Sequence, residues 1–147
     1  MKALLIPFKN PVHAKSRLAG LLQADERRRL SWAMFEDVSR AVCAATGPDR
    51  VVLVSSFEPA IERARRLGWE VMVEQSQESE SASIDWASRL LAECGFDTVV
   101  RLPADIPLVE PQDIDELISI NLGSQGAVLV PSRDGTGTNA ISRMPPD

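Results

Sequence analysis

Apolar residues fall along this chain in two alternating textures. Five short runs rich in valine and leucine are near-continuous: "KALLIPF" (2–8), "RVVLVSS" (50–56), "EVMVE" (70–74), "DTVVRLP" (97–103) and "GAVLVPS" (126–132). Such runs suit strands of a parallel sheet that are buried on both faces. Between them, apolar positions recur every three or four residues. Over 24–46, Leu30, Met34, Val38, Ala41, Val42 and Ala45 predict one apolar helical face, with Arg27, Arg28, Glu36 and Arg40 largely on the other. Asp25 and Glu26 at its start suit the positive end of the helix dipole. "PAIERARRLG" (59–68) predicts a helix burying Ile61, Ala64 and Leu67 and stopping at Gly68. "SIDWASRLLAECG" (83–95) repeats the pattern with Ile84, Ala87 and Leu91 and stops at Gly95. "EPQDIDELISINLG" (110–123) opens on Pro111, which suits a first helical turn. The serine- and acid-rich "EQSQESESAS" (74–83) reads as a mobile loop. Strand and helix alternate throughout, so the expected fold is α/β: a doubly wound, mostly parallel sheet with helices on both faces.

Composition sharpens this only a little. A chain of 147 residues, 44% hydrophobic and 25% charged, suits one domain with one core. No run of about 18 apolar residues occurs, so no membrane span is expected. The N-terminal apolar run is too short for a signal peptide, and the cytoplasm follows as the default location. The net charge of −5 argues against nucleic acid as the main partner. Cys43 and Cys94 form no metal-ligand spacing and are expected to be buried free thiols in a reducing compartment.

Against that acidic background, the loop after the first run gathers Lys9, Lys15 and Arg17. Ligands of doubly wound sheets bind beyond the carboxyl ends of the strands, where strand order reverses. "LPADIPLV" (102–109) leaves the fourth strand at the same edge, and with an order 3-2-1-4 Asp105 would face the three cations across one crevice. Cations and a lone carboxylate around a cleft suit a polyphosphate with a divalent ion: the carboxylate for Mg²⁺, the cations for the remaining charge. A turn cap between Pro103 and Pro107 is the plainer role for Asp105, and a solvated basic face the plainer one for the cations. In "SRDGTGTNA" (132–140), two glycines around Thr136 allow close backbone approach to a ligand, and Thr136 and Thr138 offer hydroxyls. A tight turn leading to a further strand near 139–143 fits the same residues.

Several signatures are absent. No G-x-x-x-x-G-K-[ST] or G-x-G-x-x-G follows the first strand, and no G-x-S-x-G elbow occurs. The single histidine, His13, has no partner at ligand spacing and reads as a loop residue, with a phosphate contact as the alternative. A histidine-based triad is not expected.

Together "IPFKNPVHAKSRLAG", "LPADIPLV" and "RDGTGTNA" resemble, in order and spacing, the 2-phospho-L-lactate guanylyltransferase family, and "DERRRLSWAMFEDV" is similar to its first long helix. The resemblance covers essentially the whole chain. It implies a GT-A-like fold of the nucleotide-diphospho-sugar transferase type. It also implies transfer of GMP from GTP to a small phosphorylated three-carbon acid (2-phospho-L-lactate, phosphoenolpyruvate or 3-phosphoglycerate) in deazaflavin coenzyme biosynthesis. On this footing Lys9, Lys15 and Arg17 would hold the GTP phosphates, with Lys15, Arg17 and Asp105 as the catalytic set. Asp105 would hold Mg²⁺, and Ser83 and Asp85 would lie beside the nucleotide. Thr138, with Thr136, Gly137 and Asn139 around it, would contact the acceptor. Such an acceptor is a phosphate already ionised at neutral pH, so positioning and charge neutralisation suffice without a general base.

Two departures accompany the resemblance. Ser83, Ile84 and Asp85 stand where the family usually has Gly-Leu-Asn, which bears on base preference. The chain ends at "RMPPD", before the family's further acceptor loop and second metal carboxylate, so residues 1–147 are expected to be one nucleotidyltransferase domain shortened at its C-terminus. The rival readings are a nucleotidyltransferase for a sugar phosphate or a molybdopterin, and a nucleotide-binding domain without turnover. The oligomeric state is not visibly encoded, and a homodimer is compatible with the sequence.

Overall fold

The first apolar run becomes the middle of the sheet. In the computed structural model, which describes residues 1–13, 16–75, 79–120 and 123–146, strand β1 (Lys2–Phe8) lies between β2 (Arg50–Ser55) and β4 (Thr98–Arg101) and is parallel to both. β3 (Glu70–Val73) adds outside β2, while β6 (Thr138–Met144) pairs antiparallel with β4 and carries β5 (Gly126–Pro131) at the far edge. The order is β3-β2-β1-β4-β6-β5. The expected 3-2-1-4 segment is there, and the sheet is mixed because the last two strands form a hairpin.

Helices cover both faces. α1 (Ala24–Ala44), α2 (Glu58–Arg66) and α4 (Pro111–Ser119) pack on the side where Leu4, Ile6, Phe8, Leu53, Val100 and Leu102 point. α3 (Glu80–Glu93) covers the other side, over Ala3, Leu5, Val52, Val54 and Val99. Successive strand residues alternate between the two cores, as the pleat demands. β1, β2 and β4 are buried on both faces as their runs predict. β3 and β5 are not: as outer strands each leaves much of its length exposed.

Three further expectations are corrected. The buried stripe of α1 runs through Ser31, Phe35, Val38, Ala41 and Val42, while Leu30 is exposed. The stripe turns this way because Phe35, fully buried, packs on Phe8 with ring centroids 4.7 Å apart and reaches Trp32 at 5.3 Å. Cys43 and Cys94 are exposed, since each falls on the solvent side of its helix near the last turn. Part of "EQSQESESAS" is helical: the Ser79 hydroxyl accepts from the Ala82 amide as an N-cap, and α3 begins at Glu80. Residues 76–78 of that stretch, like Lys15, lie outside the described residues. Among the described residues, no helix is long and apolar enough to cross a membrane.

Phe35→Ala empties the densest aromatic contact on this face, and the expected loss is about 3–5 kcal/mol of folding stability. Urea denaturation checks it: the midpoint should fall while the slope stays that of wild type.

Candidate active site

The switch point lies between β1 and β4, because the strands on either side of that pair were reached in opposite directions. Both strands leave the sheet there at their carboxyl ends. A cavity of about 140 Å³ opens between them, walled by Pro7, Phe8 and Lys9 from the first exit and by Pro103, Ala104 and Asp105 from the second. Ser31 and Met34 of α1 and Glu80 of α3 complete it. The end of β1 is fixed by Ser55, whose buried hydroxyl donates to the Phe8 carbonyl at 2.6 Å and accepts from the Phe57 amide at 3.0 Å. Leu102 N–H donates to the Leu5 carbonyl at 2.9 Å and carries the β4 exit past its last paired residue.

Lys9 and Asp105, two of the residues singled out by sequence, thus share one cleft. Arg17 does not line it; its exposed residue sits in a single 3-10 turn, Ser16–Leu18. Lys15 cannot be placed, being outside the described residues. His13 ends another such turn, Pro11–His13, consistent with a loop position.

Lys9 also reaches in the opposite direction. Its ammonium donates to Glu74 Oε1 at 2.5 Å and to Ser83 Oγ at 2.9 Å. Glu74 is buried at the carboxyl end of β3, and Ser83 is buried on the first turn of α3. Behind them lies a larger cavity of about 650 Å³, lined by Val73, Glu74, Gln75, Ser83, Asp85, Trp86 and Arg89 among others. Ser83 and Asp85 are therefore together, with Asp85 3.6 Å from the Arg143 guanidinium of β6. Glu80, on the rim of the first cavity, is paired with Arg101 at the end of β4.

The residues 136–139 lie elsewhere. They close the β5–β6 hairpin, in which Gly135 takes φ 75°, a left-handed conformation that glycine adopts without strain. Asp134 organises the turn: its carboxylate accepts from the Ser132 hydroxyl at 2.6 Å, the Thr136 amide at 3.1 Å and the Thr136 hydroxyl at 2.9 Å. The Gly137 amide is taken by Ser132 Oγ at 2.8 Å. Thr138 opens β6, and Asn139 lines a third, largely apolar groove of about 660 Å³ with Leu102, Ile106, Leu108, Leu117 and Val130. The tight-turn geometry is realised, and Thr136 through Asn139 do not line the Lys9–Asp105 cleft. The 102–109 segment separates the two, presenting Pro103, Ala104 and Asp105 to the cleft and Ile106 to Val109 to the groove.

Three residues placed at these cavities, Glu74, Glu80 and Trp86, had drawn no attention in the sequence, and neither had Arg101, the partner of Glu80. Glu74 was the accessible one. It directly follows an apolar run at the ligand edge of the sheet, where a carboxylate cannot be buried without a partner.

The sequence matches the family described as Guanylyl transferase CofC like over residues 1–145. The chain belongs to that family. Among curated relatives, it is 33% identical over 141 residues to the 2-phospho-L-lactate guanylyltransferase of Methanothermobacter thermautotrophicus, covering 96% of this chain and 61% of the relative. It is 35% identical over 146 residues to the phosphoenolpyruvate guanylyltransferase of Sphaerobacter thermophilus, covering 97% and 68%. The chain thus spans about three fifths of the first relative's length. Among solved structures, a cytidylyltransferase from Leptospira borgpetersenii superposes with a TM-score of 0.62 at 16% identity, covering 98% of this chain and 60% of that one. A protein from Desulfovibrio desulfuricans G20 described as a nucleotide-diphospho-sugar transferase superposes at 0.78 and 17%, covering 98% and 63%. The CofC-like fold expected from the motifs is therefore the fold found: an α/β domain of the nucleotide-diphospho-sugar transferase type.

In this CofC-like domain the hairpin's organiser has the clearest pH signature. The Ser132 hydroxyl, then the Thr136 amide and hydroxyl, hold the Asp134 carboxyl down to about 2 from an ordinary value of 3.8. A depressed folded-state value stabilises the fold above the unfolded value, and that contribution is lost as pH falls through the folded one. Stability measured by urea unfolding should therefore drop between pH 4 and pH 2, and Asp134→Asn should shallow that slope without removing it. The carboxyls of Asp97, beside the N-terminal ammonium, and of Asp115, beside the Gly47 amide, are also lowered and act in the same direction.

Proposed function

We propose that this chain carries the nucleotide-handling site of a guanylyltransferase, which moves GMP from GTP to a small phosphorylated three-carbon acid in deazaflavin coenzyme biosynthesis. The observation that supports it most is that Lys9 and Asp105 line one cleft at the exits of β1 and β4. A cation and a carboxylate at that edge suit a triphosphate carried with a divalent ion. The relatives named for guanylyl transfer to phospholactate and to phosphoenolpyruvate point the same way.

The donor set fits Mg²⁺ of that kind. Among the described residues no group of three or more His, Cys, Asp or Glu side chains is arranged for a metal. Mg²⁺ needs none, since it is commonly bound by one or two carboxylates together with substrate phosphates and its own waters. Asp105 would be its protein ligand here, and the ion would neutralise charge on the phosphates. Lys9, which walls the cleft, takes part of the remaining charge. A phosphate oxygen of the acid attacks the α-phosphorus of GTP, the bond from that phosphorus to the bridging oxygen breaks, and pyrophosphate leaves with the electron pair. The attacking oxygen is already ionised, so these residues orient and neutralise and move no proton.

The test is pyrophosphate release from GTP and Mg²⁺ with 2-phospho-L-lactate, phosphoenolpyruvate and 3-phosphoglycerate offered separately. Release with one acid is expected, and Asp105→Asn should reduce it by roughly 10²-fold or more while the circular dichroism stays native. Release that is indifferent to the phosphoacid, or to Asp105, would sink the reading.

A further inference from the structure

The ion pair between Lys9 and Glu74 has a chemical consequence at the larger cavity. We propose that Glu74 reads the Watson–Crick edge of the guanine base, with Lys9 as the residue that positions it. This rests on the nucleotide reading above.

Lys9 links residues of the two cavities. Its side chain walls the smaller one beside Asp105, and its ammonium is bonded to Glu74 and Ser83, which wall the larger one. On the nucleotide reading, the base of a nucleotide whose phosphates lie beside Asp105 is assigned to the cavity that holds Glu74. The larger cavity suits a base and not a phosphate. Its charged lining is Glu74, Asp85 and Arg89, with Arg89 Nε turned back to the Asp85 carbonyl at 3.3 Å. Two carboxylates there repel phosphate oxygens. Trp86, 40% exposed, and Val73, 46% exposed, supply an uncovered apolar surface of the sort a base stacks upon.

Base choice follows from hydrogen-bond inventory. An ionised carboxylate only accepts, and its two oxygens offer about four lone-pair sites. The Lys9 ammonium occupies one site on Oε1 and fixes the group's orientation. Two adjacent donors would match what remains. Guanine presents such a pair, N1–H and the 2-amino group. Adenine and cytosine set an amino donor beside a ring-nitrogen acceptor, and uracil sets one N–H between two carbonyls, so each would aim a lone pair at Glu74. Ser83 stands on α3, and its hydroxyl is already used by Lys9 and by the Ser79 carbonyl at 3.2 Å. Glu74 is thus the base-facing group with matching acceptors.

The experiment is an equilibrium titration of the unmodified chain, followed by tryptophan fluorescence in Mg²⁺ buffer, with GTP, ITP, XTP and ATP. Inosine lacks the 2-amino donor, so ITP should bind about tenfold or more weakly than GTP, and ATP more weakly still. In Glu74→Gln the amide keeps an acceptor for N1–H and gains a donor for the 2-carbonyl of xanthine. GTP should weaken roughly ten- to hundredfold and XTP should overtake it. Equal binding of GTP and ITP by wild type overturns the proposal without any variant, and so does a folded Glu74→Gln protein that still prefers GTP to XTP. Binding of all four triphosphates alike overturns the base reading and leaves the nucleotide site standing. Binding of none overturns both.

Discussion

Everything at the cleft depends on β1 being hydrogen-bonded to a parallel strand on each side. Leu5 is level with Val52 of β2 on one flank and with Arg101 of β4 on the other. β4 ends at that level, whereas β1 continues alongside β2 to Phe8. The overhang carries Pro7, Phe8 and Lys9 beyond the β4 exit and makes one wall of the cavity. It stands because it is clamped twice, by the Ser55 hydroxyl on its last carbonyl and by the aromatic contacts of Phe8 with Phe35, Trp32 and Phe57. The stability of the core and the placement of Lys9 are therefore the same physical fact.

From that wall the chemistry divides by charge. On one side of the 102–109 segment are Lys9 and Asp105; on the other is an apolar groove with Asn139 on its border. Beyond Lys9 lies the carboxylate-bearing cavity under α3. Lys9 joins two of these spaces, because a long flexible side chain can line one with its stem and bond into the next with its tip. A single cation at a junction couples what happens in both.

How much of this was legible varied with the range of the interaction. The α/β class, the inner strand order and the meeting of Lys9 with Asp105 follow from short-range signals: apolar run length, helical period, and the edge at which a parallel strand ends. What was not legible came from contacts between distant segments. Phe35 rather than Met34 faces inward because Phe8, 27 positions away, presents a ring to it. The bond from Lys9 to Glu74 was not legible because the two lie 65 residues apart, with Glu74 opening a stretch whose serines and acids suggested only solvent. The turn at 132–137 was ambiguous from spacing, since the Asp134 network closing it uses the same hydroxyl and amide groups that could have served a ligand.

The two cysteines carry one more consequence. Each stands near the final turn of its helix, α1 or α3, immediately ahead of a strand that starts at the opposite end of the sheet from the cleft. The two helices lie on opposite faces. Their exposed thiols are thus a pair of chemical handles placed by the fold itself, one on each face and both away from Lys9 and Asp105. Dyes or spin labels joined there would straddle the sheet and report on its internal spacing while leaving the cleft unobstructed.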